Sequence, residues 1–269
     1  MFKRLLNLFD KLRPIETLNV GFDSGGRFKP TIVMLHGIGA TYKTWDVLNA
    51  ELETSKYRII AIDLLGCGLS PKPRLCQYSV DDHVKYLRKT IKKLKIRRPF
   101  KIVGHSMGSI IAAKYCRLYP SRIKEVFLLS LPIYFKDNKN VNFSHKRTDF
   151  YLKAYEFISQ KKDLTIKYSK HVRNILRIKD GINIDEDSWD GFSRSLRNTI
   201  IKQNTFDDIS NLKLPVHIIF GALDEFLVQE NVYKLDKFKN VDITKLSGIN
   251  HTITPRFAKS VAEIINKSY

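Results

Sequence analysis

PFKIVGHSMGSIIAAKYC, residues 99–116, is the stretch that decides the fold. It begins with an apolar, β-branched run at 100–103 that suits a buried strand and ends with a dense apolar run at 110–115 that suits a buried helix. Between them, Gly104, Ser106 and Gly108 form a G-x-S-x-G turn so tight that a Cβ at either glycine would collide with the neighbouring strand or helix. Strand, turn and helix in this order predict a nucleophile elbow, with the Ser106 hydroxyl held at a helix N-terminus.

The composition indicates one folded domain, or one domain with an insertion. The chain has 269 residues, of which 43% are hydrophobic, so it can bury a large core. No run of about 18 apolar residues occurs, so no transmembrane helix is expected. The three cysteines, Cys67, Cys76 and Cys116, have no metal-ligand spacing and are too few for a disulfide framework. We therefore expect a cytoplasmic protein without a metal site.

The formal net charge of +20 has two interpretations. A basic surface attracts anionic lipid or nucleic acid, but a lysine-rich composition spread over a solvated surface gives the same sum. The basic residues are scattered, apart from one dense run at 85–101 on a predicted amphipathic helix and the loop after it. Because no nucleic-acid-binding motif accompanies them, we favour the solvated surface and expect no nucleic-acid partner.

Residues 1–14 are predicted to form an amphipathic helix. Its apolar face collects Phe2, Leu5, Leu6, Phe9 and Leu12. A signal peptide would need an uninterrupted apolar core and a small-residue cleavage site, and this segment has neither. Two interpretations stay open, a helix packed on the domain and a helix in peripheral contact with an anionic membrane surface.

Short apolar strands alternate with helical patterns through most of the chain, which is typical of a parallel α/β sheet. Besides the elbow strand, buried strands are predicted at 31–35, 57–62, 123–129, 215–221 and 241–246. The alternating residues 15–22, followed by a polar turn, predict an edge strand and a hairpin-type turn. Ser79 with Asp82 three residues later predicts a capping box at a helix start. Further helices are predicted near 232–238 and 255–266.

The pattern changes between the strands at 123–129 and 215–221. Residues 134–212 lack strand-like runs and show three helical patterns instead. We therefore predict a helical cap at 134–212, inserted into an α/β core made of residues 15–133 and 213–269.

Three polar residues each follow a predicted strand. Ser106 follows the elbow strand, Asp224 follows the strand at 215–221, and His251 follows the last one. The carboxyl ends of parallel strands share one edge of the sheet, so we expect the three to meet there. A serine needs a histidine to take its proton, and a carboxylate orients the imidazole, so these residue types suit nucleophilic catalysis. The backbone N–H groups of Ile38 and Met107 are the predicted oxyanion donors.

These motifs resemble the α/β-hydrolase fold superfamily, and within it the esterase-like serine hydrolases with a helical cap. The resemblance rests on LHGIGATYKTW (35–45), AIDLLGCGLS (61–70), GHSMGS (104–109), VHIIFGALDEF (216–226) and GINHT (248–252), and it runs from about residue 15 to 269. It implies a mostly parallel central sheet flanked by helices. Dehalogenases and epoxide hydrolases of this fold have an aspartate at the elbow, where this chain has Ser106. Ser109 departs from the second glycine of many relatives.

The resemblance and the residues together predict a serine hydrolase without a cofactor. Its substrates would be small-molecule carboxylic esters with mainly apolar acyl or aryl groups, cleaved through an acyl-enzyme. Two alternatives stay open: a C–C bond hydrolase or thioesterase on the same triad, and a non-catalytic ligand-binding protein on the same scaffold.

Other polar residues near these motifs are interpreted as structural. The resemblance implies that His36 supports the oxyanion loop. His105 is expected to point away from Ser106, and Asp63 to shape the loop after its strand. Glu225 is the rival to Asp224 as the acid, and Asp224 is preferred.

Overall fold

The computed structural model describes residues 15–135, 143–175 and 184–268. In this part of the chain seven strands form one sheet in the order β1-β3-β2-β4-β5-β6-β7. They are β1 (Val20–Asp23), β2 (Thr31–Leu35), β3 (Arg58–Ile62), β4 (Phe100–His105), β5 (Ile123–Leu129), β6 (Val216–Gly221) and β7 (Val241–Leu246). β1 is antiparallel to β3, and all the other neighbouring pairs are parallel. The predicted mostly parallel α/β sheet is therefore confirmed.

Helices cover both faces of this sheet. They are α1 (Asp46–Glu51), α2 (Val80–Lys93), α3 (Met107–Leu118), α4 (Phe143–Gln160), α5 (Lys162–Ile175), α6 (Trp189–Ser195), α7 (Thr205–Ser210), α8 (Gln229–Tyr233) and α9 (Pro255–Lys267). α1 and α9 pack on one face, whereas α2, α3 and α7 pack on the other. Along β2, Val33 and Leu35 face one apolar cluster and Ile32 and Met34 face the other. Burial on both sides explains why the inner strands are continuous apolar runs.

Several predicted boundaries are correct. The strands at 123–129 and 241–246 begin and end where the sequence placed them. Ser79 and Asp82 form the predicted capping box, because the Ser79 hydroxyl accepts from the Asp82 N–H at 3.2 Å and the Asp82 carboxylate accepts from the Ser79 N–H at 3.1 Å. α9 ends one residue beyond its predicted bound.

The prediction for the edge strand is partly wrong. β1 begins at Val20 because the two preceding backbone N–H groups bond to side chains: Leu18 donates to Thr90 Oγ1 at 2.8 Å and Asn19 donates to Ser70 Oγ at 2.9 Å. β1 also pairs with β3 instead of β2, so the turn after it makes no hairpin. Both edges of β2 are already occupied by the parallel neighbours β3 and β4.

The helix predicted near 232–238 is also displaced. α8 ends at Tyr233, and the following residues form successive tight turns in which Leu235 N–H donates to Val232 O and Phe238 N–H donates to Leu235 O. The three-residue spacing of the apolar residues 232, 235 and 238 therefore comes from successive turns with i to i+3 hydrogen bonds and not from a continuous α-helix.

The described residues between β5 and β6 are largely helical. α4 and α5 follow one another, and α6 widens into a π-helical turn at Leu196–Ile201. α4 packs against α6 and that turn. The division at 134–212 into a cap stays a prediction, and the helix predicted for residues 1–14 lies outside the described residues. Within the described ranges, no helix is both long and apolar enough to cross a membrane.

Candidate active site

The turn between β4 and α3 has the strained geometry that the sequence predicts. A Cβ built on Gly104 would lie 2.4 Å from Gly108 O, and one built on Gly108 would lie 2.1 Å from Leu35 O. Ser106 adopts φ +52°, a left-handed value that costs roughly 1–3 kcal/mol for a residue with a side chain. Met107 is the first residue of α3, so its N–H belongs to the turn whose donors have no carbonyl partner within the helix.

Hydrogen bonds to the end of β5 hold this turn in place. The Ser106 N–H donates to Leu129 O at 2.9 Å. The Ser109 hydroxyl donates to Gly104 O at 2.7 Å and also lies 3.0 Å from Leu129 O. Ser109, which replaces the second glycine of many α/β-hydrolases, is fully buried. Through these contacts its hydroxyl joins the elbow to the neighbouring strand β5.

Asp224 and His251 are brought together at the carboxyl edge of the sheet, the edge where the parallel strands end. His251 Nδ1 lies 2.8 Å and 3.0 Å from the two Asp224 carboxylate oxygens. Burial alone would raise the pKa of Asp224, but its hydrogen bonds, the one to His251 first among them, and the charge of His251 together lower that pKa below its ordinary value. An ionised Asp224 requires the proton on Nδ1, which leaves the Nε2 lone pair free to accept. Glu225, the rival acid, is exposed.

The loops that carry this pair are joined to each other. The Leu223 N–H donates to Ile249 O at 2.9 Å, and a Cβ on Gly221 would lie 2.1 Å from the same carbonyl. The Phe226 N–H donates to Asp224 Oδ1 at 3.1 Å, and the Phe226 ring meets the His251 ring edge-on with centroids 4.9 Å apart. The carboxylate and the imidazole are therefore fixed by backbone as well as by their own hydrogen bonds.

His105 links the elbow to the histidine loop, a contact that the sequence did not predict. Its Nε2–H donates to His251 O at 2.9 Å, and the two rings lie 5.0 Å apart. Burial, and after it the neighbouring His251, lower the pKa of His105 to about 3, so His105 is neutral. Among the described residues, the Ser106 hydroxyl makes no hydrogen bond to His251. In enzymes without bound substrate, the hydrogen bond between a nucleophile and its base is often long.

The loop that carries Ile38 lies against the elbow. A Cβ on Gly37 would be 3.3 Å from Ser106 Cβ, and Ile38 itself is half-buried. The buried His36 ring fixes this loop, because Nδ1–H donates to Gly37 O at 2.7 Å and Nε2 accepts from the Leu64 N–H at 2.9 Å. Burial lowers the pKa of His36, which suits the neutral form that these two bonds require.

Side chains from α4 and from the end of β5 hold the acid loop, which we define as residues 224–228. The Tyr134 hydroxyl donates to Phe226 O at 2.7 Å and accepts from the Tyr155 hydroxyl at 3.1 Å. Burial, more than any other cause, raises the pKa of Tyr155 to about 12, so this pair stays protonated. Two further donors reach the same loop: Tyr151 bonds to Glu225 O, and Arg147 Nη2 bonds to Leu227 O at 2.9 Å.

The remaining polar residues of the motifs are structural. Asp63 accepts from the Leu69 N–H at 3.1 Å, which shapes the loop after β3 as predicted, and it also accepts from the Tyr42 N–H and from Asn19 Nδ2, each at 2.8 Å. Burial raises the pKa of Cys67 to about 12, so its thiol is not ionised near neutral pH. In the three described ranges, no group of three His, Cys, Asp or Glu side chains converges as metal ligands would.

The sequence model of the alpha/beta hydrolase fold matches residues 30–251. The chain therefore belongs to the alpha/beta hydrolase fold family. The Arabidopsis thaliana protein named Probable lysophospholipase BODYGUARD 5 is 37% identical over 113 residues, which are 40% of this chain and 25% of that protein. Epoxide hydrolase 1 of Caenorhabditis elegans is 24% identical over 268 residues, which are 91% of this chain and 66% of that protein.

The fold is also that of a solved esterase from Exiguobacterium antarcticum. The two structures superpose with a TM-score of 0.74 at 18% sequence identity, covering 91% of this chain and 94% of the esterase. The 37% identical match covers only a quarter of the plant relative and 40% of this chain. The structural superposition with the esterase covers 91% of this chain.

Proposed function

We propose that the protein is a serine hydrolase that cleaves carboxylic esters with mainly apolar acyl or aryl groups through an acyl-enzyme. The observation that carries the proposal is the pair of hydrogen bonds, 2.8 Å and 3.0 Å, from His251 Nδ1 to the buried Asp224 carboxylate, at the sheet edge where Ser106 precedes the first residue of α3. A neutral imidazole whose Nε2 is left as the acceptor is the base that a serine hydroxyl requires.

Acylation follows from this arrangement. His251 Nε2 takes the hydroxyl proton as Ser106 Oγ attacks the ester carbonyl, and the ionised Asp224 stabilises the resulting imidazolium. The negative charge on the former carbonyl oxygen is stabilised by the N–H groups of Ile38 and Met107. The C–O bond then breaks, and His251 gives its proton to the leaving alcohol. In deacylation His251 takes a proton from water, the hydroxide attacks the acyl group, and Ser106 leaves with that proton.

The apolar preference rests on aromatic residues packed beside the acid loop and on the ring that contacts His251. Tyr134, Tyr151 and Tyr155 form a ring cluster with centroids 5.9–6.4 Å apart, and Phe226 covers the His251 ring. The lysophospholipase name of a partial relative adds single-chain phospholipids to the esters worth testing.

The experiment combines a covalent probe with an ester panel. Wild-type protein should be labelled by a fluorophosphonate and should hydrolyse p-nitrophenyl esters and lysophospholipids of graded acyl length. Ser106→Ala should abolish labelling and lower turnover at least about 10³-fold. Ser260→Ala is the matched control, because this serine lies on α9 and bonds only to Arg256 O there. Absence of labelling and turnover in the wild type would refute the enzyme and favour a ligand-binding protein.

Two further substrates separate the enzymatic alternatives. An acyl thioester and a ring-fission diketone are compared with the best ester at equal concentration. A higher kcat/KM on the thioester or on the diketone would replace the ester assignment, while dependence on Ser106 would retain the triad.

A further inference from the structure

Helix α4 has two unlike faces. Its inner face carries Tyr151, which bonds to Glu225 O of the acid loop, and Tyr155, which bonds to the Tyr134 hydroxyl. The opposite face alternates exposed lysines with exposed phenylalanines and ends at the residue that joins α4 to α5. We call this face the outer stripe; it consists of Lys146, Phe150, Lys153, Phe157 and Lys161.

The two phenylalanines of the outer stripe are strongly exposed. Phe150 is 66% exposed and Phe157 is 53% exposed. Seven residues are almost two helical turns, so the two rings lie on the same side of α4. Leu164, in the first turn of α5, is a further exposed apolar residue and is 50% exposed. Single exposed apolar residues are common, but a regular series along one helix face indicates a surface that meets an apolar phase.

The lysines of the outer stripe are available for an anionic partner. Among the described residues, the ion pairs involve none of Lys146, Lys153 and Lys161. Lys161 Nζ lies 5.9 Å from the centre of the Phe157 ring, as when an ammonium group extends beside an apolar side chain toward a polar boundary. The formal net charge of +20 gives the whole molecule the matching sign.

The size of the outer stripe favours a lipid surface over a folded protein. From residue 146 to residue 161 the stripe is about 22 Å long, and one helix is about 10 Å wide, which gives on the order of 200 Å². A specific protein interface buries about 800 Å² on each partner. A row of aromatic and basic residues on one helix is, by contrast, enough for a helix that lies in a bilayer interface.

We propose that the outer stripe is the surface through which the protein docks on a bilayer that contains anionic lipid. The phenylalanines enter the boundary between headgroups and acyl chains, and the lysines contact the headgroup phosphates. The docking is independent of hydrolysis, since no residue of the outer stripe belongs to the proposed triad or oxyanion hole.

Vesicle sedimentation tests the proposal on the full chain. Wild-type protein should bind vesicles of phosphatidylcholine and phosphatidylglycerol in equal parts, and only weakly those of phosphatidylcholine alone. The triple variant Lys146→Gln, Lys153→Gln, Lys161→Gln should bind the anionic vesicles roughly 100-fold less, because each lysine near such a surface contributes about 1 kcal/mol. The double variant Phe150→Ser, Phe157→Ser should bind about tenfold less.

The matched control lies at the opposite edge of the sheet. Phe28 is 76% exposed and lines a surface cavity with Arg27, Arg97 and Arg98, all of them exposed. The variant Arg27→Gln, Phe28→Ser, Arg97→Gln, Arg98→Gln removes the same charge as the lysine variant and a phenylalanine that is more exposed than Phe150 or Phe157. It should bind within about threefold of wild type, since the outer stripe is intact. A loss as large as that of the lysine variant would overturn the proposal.

A second readout reports insertion directly. Trp45 is fully buried and Trp189 is 8% exposed, so lipid-bound bromine should quench a new surface tryptophan much more than these two. Phe157→Trp fluorescence should be quenched by anionic vesicles with brominated acyl chains, whereas that of Phe28→Trp should not. Equal quenching of the two, or no quenching of either, would refute docking through α4. If the lysine and phenylalanine variants of the outer stripe bind vesicles as the wild type does but differ from it in oligomeric state, the outer stripe would instead be a contact between copies of the chain.

Discussion

The hydroxyl of Tyr134 connects α4 to the proposed acid, and Tyr134→Phe tests that connection. Tyr134 is 5% exposed, so water does not replace the bonds that are lost to Phe226 O and to Tyr155. Two hydrogen bonds of about 1 kcal/mol each are lost, and the Phe226 carbonyl is left without this donor, so the free energy of unfolding should fall by roughly 2–3 kcal/mol.

The catalytic effect of the same substitution is worked from the next bond in the series. The Phe226 N–H is a donor to Asp224 Oδ1, and a hydrogen bond to a charged group contributes about 1.5–3 kcal/mol. If the Phe226 backbone shifts and this bond is weakened by half, about 0.75–1.5 kcal/mol is lost, which corresponds to a roughly four- to twelvefold lower kcat with KM unchanged. Tyr155→Phe keeps the bond from Tyr134 to Phe226, so its kcat should fall less than about threefold.

Steady-state kinetics on the best ester, with urea unfolding in parallel, measures both effects. If no ester is turned over, the rate of fluorophosphonate labelling of Ser106 takes the place of kcat. A Tyr134→Phe protein that loses the expected stability but keeps kcat within about twofold would refute the connection, because the hydroxyl would then act on the fold alone.

Variants at three other places in the structure test separate parts of it. Asp224→Asn should lower kcat about 10³–10⁴-fold by favouring the wrong His251 tautomer, and a loss below about tenfold would contradict the triad. The pKa of Asp224 in the folded state lies below the ordinary 3.8, so the ionised carboxylate stabilises the fold above that pH. This stabilisation is lost as the pH falls through the folded-state pKa. On acidification, the urea midpoint of Asp224→Asn should therefore drop less than that of the wild type. Gly108→Ala should give insoluble or grossly destabilised protein, since its Cβ would lie 2.1 Å from Leu35 O; soluble protein of wild-type stability would rule out the tight elbow. Lys101 and Glu125, both 4% exposed and 3.6 Å apart, form a buried pair, so Lys101→Met should cost about 3–5 kcal/mol in urea unfolding and Lys101→Met with Glu125→Leu should recover at least half of it.

The elbow could be predicted from the sequence because its constraint is local. Gly104 and Gly108 exclude a Cβ through contacts with the adjoining strand and helix, and that requirement is visible within five residues. Asp224 and His251 could be placed because each follows an apolar strand, and parallel strands bring their carboxyl ends to one edge.

The contacts that organise the site across long sequence separations could not be predicted. His105 bonds to a carbonyl 146 residues away, and Tyr134 bonds to one 92 residues away, and neither has a local pattern that signals its partner. The start of β1 was missed for a similar reason, since side chains from α2 and from the loop after β3 capture the N–H groups that a longer strand would use.

The carbonyl of Leu129, the last residue of β5, receives both the Ser106 N–H and the Ser109 hydroxyl, at the buried carboxyl ends of two inner strands of the sheet. Freeing the Ser106 amide therefore requires β4 to separate from β5, which opens the centre of the sheet. In amide hydrogen exchange, that proton should be among the slowest, exchanging only with global unfolding. Thermal inactivation and loss of the folded state are then a single cooperative event, without an earlier stage in which the chain stays folded and the elbow relaxes.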